Sequence, residues 1–122
     1  KYCYMNEKIL KWHYDIKVAI EEIDSFFEGE EKSIFFYKKK LVVKRAIERN
    51  LEIIGEATNR IVKKNPEIEL EDARSIIGLR NFIIHSYDNI TDETIWAIII
   101  NHLPKLKIKV ENLLQDSNKN LE

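Results

Sequence analysis

At 122 residues the chain suits one domain and leaves little room for two, and its 44% apolar content can fill a single modest core. Three glycines and two prolines are too few for a many-turned β fold, whereas 34% charged residues, rich in Lys and Glu, favour long helices. The net charge of −1 gives no global attraction for nucleic acid, but it hides a basic middle: residues 32–64 carry ten Lys and Arg against three Glu, and each flank is net −4.

The first predicted helix runs from about Asn6 to Glu28, because Ile9, Trp12, Ile16, Ala19, Ile20, Ile23 and Phe27 recur at three- and four-residue steps. Gly29 follows that stripe, where a left-handed cap belongs. Ser33 caps a second helix whose apolar line passes through Leu41, Val43, Ala46, Ile47, Leu51, Ile54, Ala57 and Ile61. This pattern predicts one helix of about thirty residues, ended by Asn65 before Pro66.

A third helix is expected to begin near Leu70, with Glu71 and Asp72 complementing its dipole, to place Ile76, Leu79 and Ile83 in the core, and to fade at "SYDNIT". Thr91 then caps a fourth, carried by Ile95, Ile98, Ile99, Leu103, Leu106, Val110 and Leu113 to about Gln115. Pro104 lies inside that pattern and should kink it. The expectation is an all-α, up-down bundle of four to five helices in one domain, 1–122, with an ordered core at about 6–115 and a frayed tail. The dense "IWAIII" run reads equally as a subunit interface or a wide core stripe. No stretch is long and apolar enough to span a membrane, and "KYCYMNEKIL" is too polar for a signal peptide. With Cys3 as the one cysteine, a cytoplasmic location is expected.

The chemistry concentrates in "RNFIIHSY", residues 80–87. On a helix Asn81 and His85 share one face, and Arg80 and Tyr87 share another about a third of a turn away. Arginine offers a rigid cationic fork for phosphate, and histidine exchanges a proton near neutral pH. No carboxylate cluster or His/Cys spacing marks a metal site, and no Gly-rich loop cradles a nucleotide, so neither metal nor cofactor is expected. The set suits phosphodiester cleavage by the 2′-hydroxyl of RNA itself. Such a reaction wants both a base and an acid, and a twofold dimer would bring two histidines and two arginines into one cleft. The alternative is a satisfied His and Arg that merely end a helix.

Glu56 stands on the apolar side of the second helix, where a carboxylate needs a partner: Arg80, a backbone amide or an inter-helix network. Lys38, Lys39, Lys40, Lys44 and Arg45 either guide RNA phosphates, solvate a surface or meet an acidic protein. His13 and His102 read as surface or boundary residues, and Tyr2, Tyr4 and Tyr37 as exposed.

"GLRNFIIHSYDNI" at 78–90 resembles the R-x4-H-x-Y signature of the HEPN superfamily, in its HepT-like branch. "LEIIGEATNRI" at 51–61 resembles that branch's Gly-Glu-Ala stretch, and "IWAIIINHLPKL" at 95–106 its last helix with an internal proline. The similarity runs from about Ser33 to Leu114. It implies a homodimeric helical bundle with the motif at the dimer cleft, acting as a metal-independent ribonuclease toxin. Arg80 would stabilise the scissile phosphate, His85 would transfer protons and Asn81 would orient one of them. The implied partner besides RNA is a nucleotidyltransferase antitoxin of the MNT type, able to transfer AMP to Tyr87. A non-catalytic HEPN-type module that docks such a nucleotidyltransferase or a nucleotide is the alternative.

Overall fold

The computed structural model describes residues 7–66, 74, 76–78, 80–81 and 91–117, together with the helical backbone of 118–121. Five helices have defined bounds: α1 (Glu7–Ser25), α2 (Ile34–Lys39), α3 (Leu41–Lys64), α4 (Asp92–Asn101) and α5 (Leu103–Leu121). Residues 74, 76–78, 80 and 81 are also helical, and no strand occurs among the described residues. The fold is an all-α bundle, and no helix among these residues is long and apolar enough to cross a membrane.

α1 is the central element, packed against both α3 and α5. Both pairings are antiparallel: Ala19 lies beside Asn50 while Trp12 shares a cleft with Arg60, and Asp24 reaches Lys107 while Glu7 lies near Gln115. The three- and four-residue stripe on α1 is buried as its spacing demands, with Ile16, Ile20 and Ile23 almost wholly enclosed against Ile47, Leu51, Ile54 and Ile61 of α3. Full burial of each such side chain contributes about 1.5–3 kcal/mol. Asn50 of α3 is buried too, and its amide donates to the Ala19 carbonyl (3.2 Å) and the Glu22 carboxylate (3.1 Å), which fixes the register of the α1–α3 pair.

The predicted punctuation is largely observed. The Ser33 and Thr91 hydroxyls accept from the amides of Phe36 (3.3 Å) and Thr94 (3.1 Å), and Asn65 ends α3. Gly29 takes φ +75°, in the left-handed region that its missing Cβ permits.

Five expectations need correction. The long second helix is two helices, broken at Lys40, which is extended at φ −117° and ψ 113°. Lys38 pairs with Glu93 (2.6 Å) and Lys44 with Asp92 (3.0 Å), adjacent residues in the first turn of α4. Six residues apart on a continuous helix, these lysines would point about 120° away from one another; the break lets both reach one helix terminus. The same bend leaves Leu41 and Val42 exposed and turns Tyr37 inward. Tyr37 is fully enclosed rather than exposed, stacked obliquely near Trp96 at 6.0 Å.

The fourth predicted helix is likewise two, because Pro104 has no N–H to give to Ile100. The chain turns at His102, and Pro104 takes a place in the first turn of α5, where a donor is dispensable. α5 continues past the expected end at Gln115 to Leu121, and Ser117 is buried. Finally, His13 is fully enclosed, in phase with Ile9, Ile16 and Ile20, and not at the surface. The "IWAIII" run supplies core: Ile95, Ile98 and Ile99 are buried, and Trp96 packs edge-on to Phe27.

Candidate functional site

The site begins at a helix crossing. Gly55, in the middle of α3, is buried, and a Cβ there would stand 2.8 Å from Cγ of Arg80 and 3.3 Å from the Ile76 carbonyl oxygen. The absent side chain is what admits the Arg80 segment against α3. Ile76, four residues before Arg80, is buried in the core and anchors that segment.

One residue further along α3, Glu56 receives Arg80. Nη2 of Arg80 donates to Glu56 Oε2, while Nη1 donates to Asn81 Oδ1 at 2.6 Å. The other Glu56 oxygen accepts from Nε of Arg60 at 3.0 Å, one turn on along α3. Of the partners open to Glu56 from sequence, the structure selects Arg80 and adds Arg60. The Arg80–Glu56 pair is mostly shielded, with side chains 23% and 35% exposed, so its Coulomb attraction is screened less than that of a surface pair. Nε of Arg80 is buried without a hydrogen-bond partner, so the polar contacts of the head run through its terminal nitrogens. Each of those retains one further N–H for an incoming oxygen.

The guanidinium lies in a cleft of about 260 Å³ between α1 and α3. Arg49 and Arg60 join Arg80 as its cations, Asp15, Glu52 and Glu56 are its acids, and Trp12, Ile53 and Ala57 form its apolar lining. Sequence reasoning placed Gly55 in a family stretch without a role, read Trp12 as core and passed over Arg49 and Arg60. A signal existed for three of them: a glycine inside a strong helical pattern, and two arginines eleven residues apart, which returns to nearly the same side of a helix.

Asn81 is exposed beside Arg80. His85 and Tyr87 lie outside the described residues. The basic group is placed elsewhere: Lys38, Lys39, Lys40, Lys44 and Arg45 surround the α2–α3 corner, and Lys44 is roughly 18 Å along the α3 axis from Glu56. Lys38 and Lys44 hold the acids of α4, Arg45 bonds Glu48 at 2.9 Å, and Lys40 stands 5.5 Å from the Phe36 ring centre. The hydrogen bond to Glu93 holds the Lys38 ammonium above its ordinary pKa and the Glu93 carboxyl below its own. Among the described residues no group of three His, Cys, Asp or Glu is placed to hold a metal ion.

Comparison with known proteins agrees with this architecture. Residues 16–113 match the family described as "Ribonuclease HepT-like". The chain is 31% identical over 107 residues to "Putative RNase MJ1216" of Methanocaldococcus jannaschii, covering 84% of each chain. It is 34% identical over 103 residues to "Probable ribonuclease HepT" of Thermococcus cleftensis, covering 81% of this chain and 89% of that one. With "Putative RNase TTE0752" of Caldanaerobacter subterraneus it shares 35% identity over 80 residues, 65% of this chain and 71% of the relative. No solved structure matches it significantly. Matched over most of its length, the chain belongs to the ribonuclease HepT-like family.

Proposed function

We propose that this protein is a metal-independent endoribonuclease, the toxin of a toxin–antitoxin pair acting in the cytoplasm, with Arg80 and His85 as its catalytic residues. The observation that carries the proposal is Arg80 itself. Its guanidinium is latched by Glu56 and Asn81 with terminal N–H groups to spare, an arrangement that pre-positions a cation for a phosphodiester. Family membership and the ribonuclease names of the relatives support the same reading.

In the proposed reaction the 2′-hydroxyl of RNA attacks the adjacent phosphorus as the P–O5′ bond breaks, giving a 2′,3′-cyclic phosphate and a free 5′-hydroxyl. One proton leaves the 2′-oxygen and one reaches O5′. His85 exchanges one of these protons, and the same residue of a second copy across a twofold axis exchanges the other. Arg80 neutralises the charge gathering on the non-bridging phosphate oxygens, Glu56 positions Arg80, and Asn81 restrains the guanidinium from the solvent side. A nucleotidyltransferase antitoxin of the MNT type silences the toxin by transferring AMP to Tyr87, where a bulky anion repels the substrate phosphate.

The test is cleavage of total cellular RNA in EDTA by purified wild type and His85→Ala, with the intact mass and oligomeric state of each recorded. Cleavage by the wild type that is lost in a dimeric variant supports the enzyme. An unmodified, dimeric wild type that leaves RNA intact sinks this reading in favour of a non-catalytic module that docks the nucleotidyltransferase. A mass raised by AMP units instead assigns the inactivity to Tyr87.

A further inference from the structure

We infer that the cleft beside Arg80 is a subsite for single-stranded RNA flanking the cleaved bond, with Trp12 as its base-stacking platform and Arg49 and Arg60 as its phosphate contacts. This inference rests on the ribonuclease reading and deepens it. Trp12 is half-buried: it packs against the core cluster and also lines the cleft, so its indole is held rigidly with part of its surface open. Its neighbours along the cleft are the apolar Ile53 and Ala57, the three arginines and the carboxylates Asp15, Glu52 and Glu56, with no second aromatic ring in the lining.

Arg49 and Arg60 bracket this lining. Eleven residues separate them, about 16 Å along α3, and at about 100° per residue they return to nearly the same side of the helix. That length accommodates a few nucleotides at roughly 3.4 Å each when stacked. Both heads are open, with side chains 70% and 55% exposed, and both are paired only to acids of their own helix, Glu52 at 3.2 Å and Glu56 at 3.0 Å. Pairs in which the cation is this open contribute little, so Arg49 can exchange Glu52 for a phosphate cheaply, and Arg60 can leave a Glu56 that Arg80 still holds. An aromatic face interleaved with cations along a groove is the chemistry that recognises unpaired nucleotides, because every base has a π-face and every link a phosphate. The groove runs directly to Arg80, which joins it to the reacting phosphate.

Two measurements test the subsite. The first uses the His85→Ala protein with a single-stranded RNA of about eight nucleotides, within the usual range of such sites. Stacking should quench tryptophan fluorescence on binding, and the quench should vanish in the Trp12→Phe, His85→Ala protein, whose remaining Trp96 is packed beside Phe27 and Tyr37. Arg49→Gln and Arg60→Gln should each reduce the slope of log affinity against log salt by about 0.7. The second compares cleavage: Trp12→Ala should raise KM about tenfold with kcat little changed, and Trp12→Phe should restore most of it. RNA that binds without quenching Trp12, or is cleaved with an unchanged KM by Trp12→Ala, overturns the subsite while the ribonuclease stands. A wild type that neither binds nor cleaves RNA overturns both.

Discussion

Gly55 and Arg80 are joined by a side chain that is not there. The Arg80 segment sits so close to α3 that even a methyl group on residue 55 would press into the aliphatic stem of the arginine, 2.8 Å from Cγ. The obstructing atoms lie near the backbone of Arg80 and cannot swing aside as a side-chain tip would. Gly55→Ala gains about 1 kcal/mol of helix propensity, but overpacking a tight contact costs about 1–3 kcal/mol. The expected outcome is a net loss of about 1 kcal/mol in urea denaturation, with a fall in RNA cleavage far larger than that loss of folded protein explains.

Glu56→Gln tests the latch. The amide keeps the size and one acceptor but removes the charge that holds both Arg80 and Arg60. Because the Arg80 pair is shielded yet not fully buried, the stability cost should fall between surface and buried values, at about 1–2 kcal/mol. RNA cleavage should drop tenfold or more, mainly in kcat, since a mobile guanidinium no longer waits in place for the developing charge. A Glu56→Gln enzyme with full kcat rules out the positioning role.

His13 makes stability depend on pH. Burial lowers its pKa below the ordinary 6.5, partly opposed by the hydrogen bond between Nδ1 and the Ile9 carbonyl at 2.8 Å. Well above pH 6.5 neither the folded nor the unfolded chain protonates it, so it has no pH effect there. As pH falls below 6.5 the unfolded chain takes up the proton first, and stability declines until the folded value is passed. Urea titrations at pH 7.5 and 5.5 should show wild type losing more stability than His13→Leu.

Tyr37 carries a buried hydroxyl without a hydrogen-bond partner, and burial, followed by the charges of Asp92 and Glu48, pushes its pKa well above the ordinary 10. Deleting an unsatisfied polar atom removes a desolvation cost and leaves the ring packing against Trp96 intact. Tyr37→Phe should therefore be neutral or more stable by up to about 1 kcal/mol in thermal denaturation, unlike most core substitutions.

The helices were legible wherever periodicity and caps agreed. The α1 stripe, the Ser33 and Thr91 caps and the Asn65 stop are all visible one residue at a time. The Lys40 break was not, because nothing in "YKKKL" forbids a helix locally. It goes with contacts to residues some fifty positions away, the burial of Tyr37 near Trp96 and the pairing of Lys38 and Lys44 with Glu93 and Asp92. His13 was legible and misread: its phase with Ile9 and Ile16 marked it as core, and its chemistry suggested otherwise. At the site, the need of Glu56 for a partner was legible, but the choice of Arg80 among the open partners required the helix crossing. The Trp12 cleft needed the antiparallel α1–α3 pairing, which local patterns do not specify.

The notch and the latch are consecutive residues of one helix, Gly55 and Glu56, and this gives the fold an uneven tolerance to changes in length. A single inserted residue in α3 before position 55 would rotate both by about 100°, closing the notch and aiming the latch elsewhere at one stroke. At Lys40, where the chain is already extended between two helices, the same insertion is absorbed by a bend. Insertions and deletions tolerated among natural variants of this chain should accordingly gather at the α2–α3 corner and avoid the fourteen residues between Lys40 and Gly55.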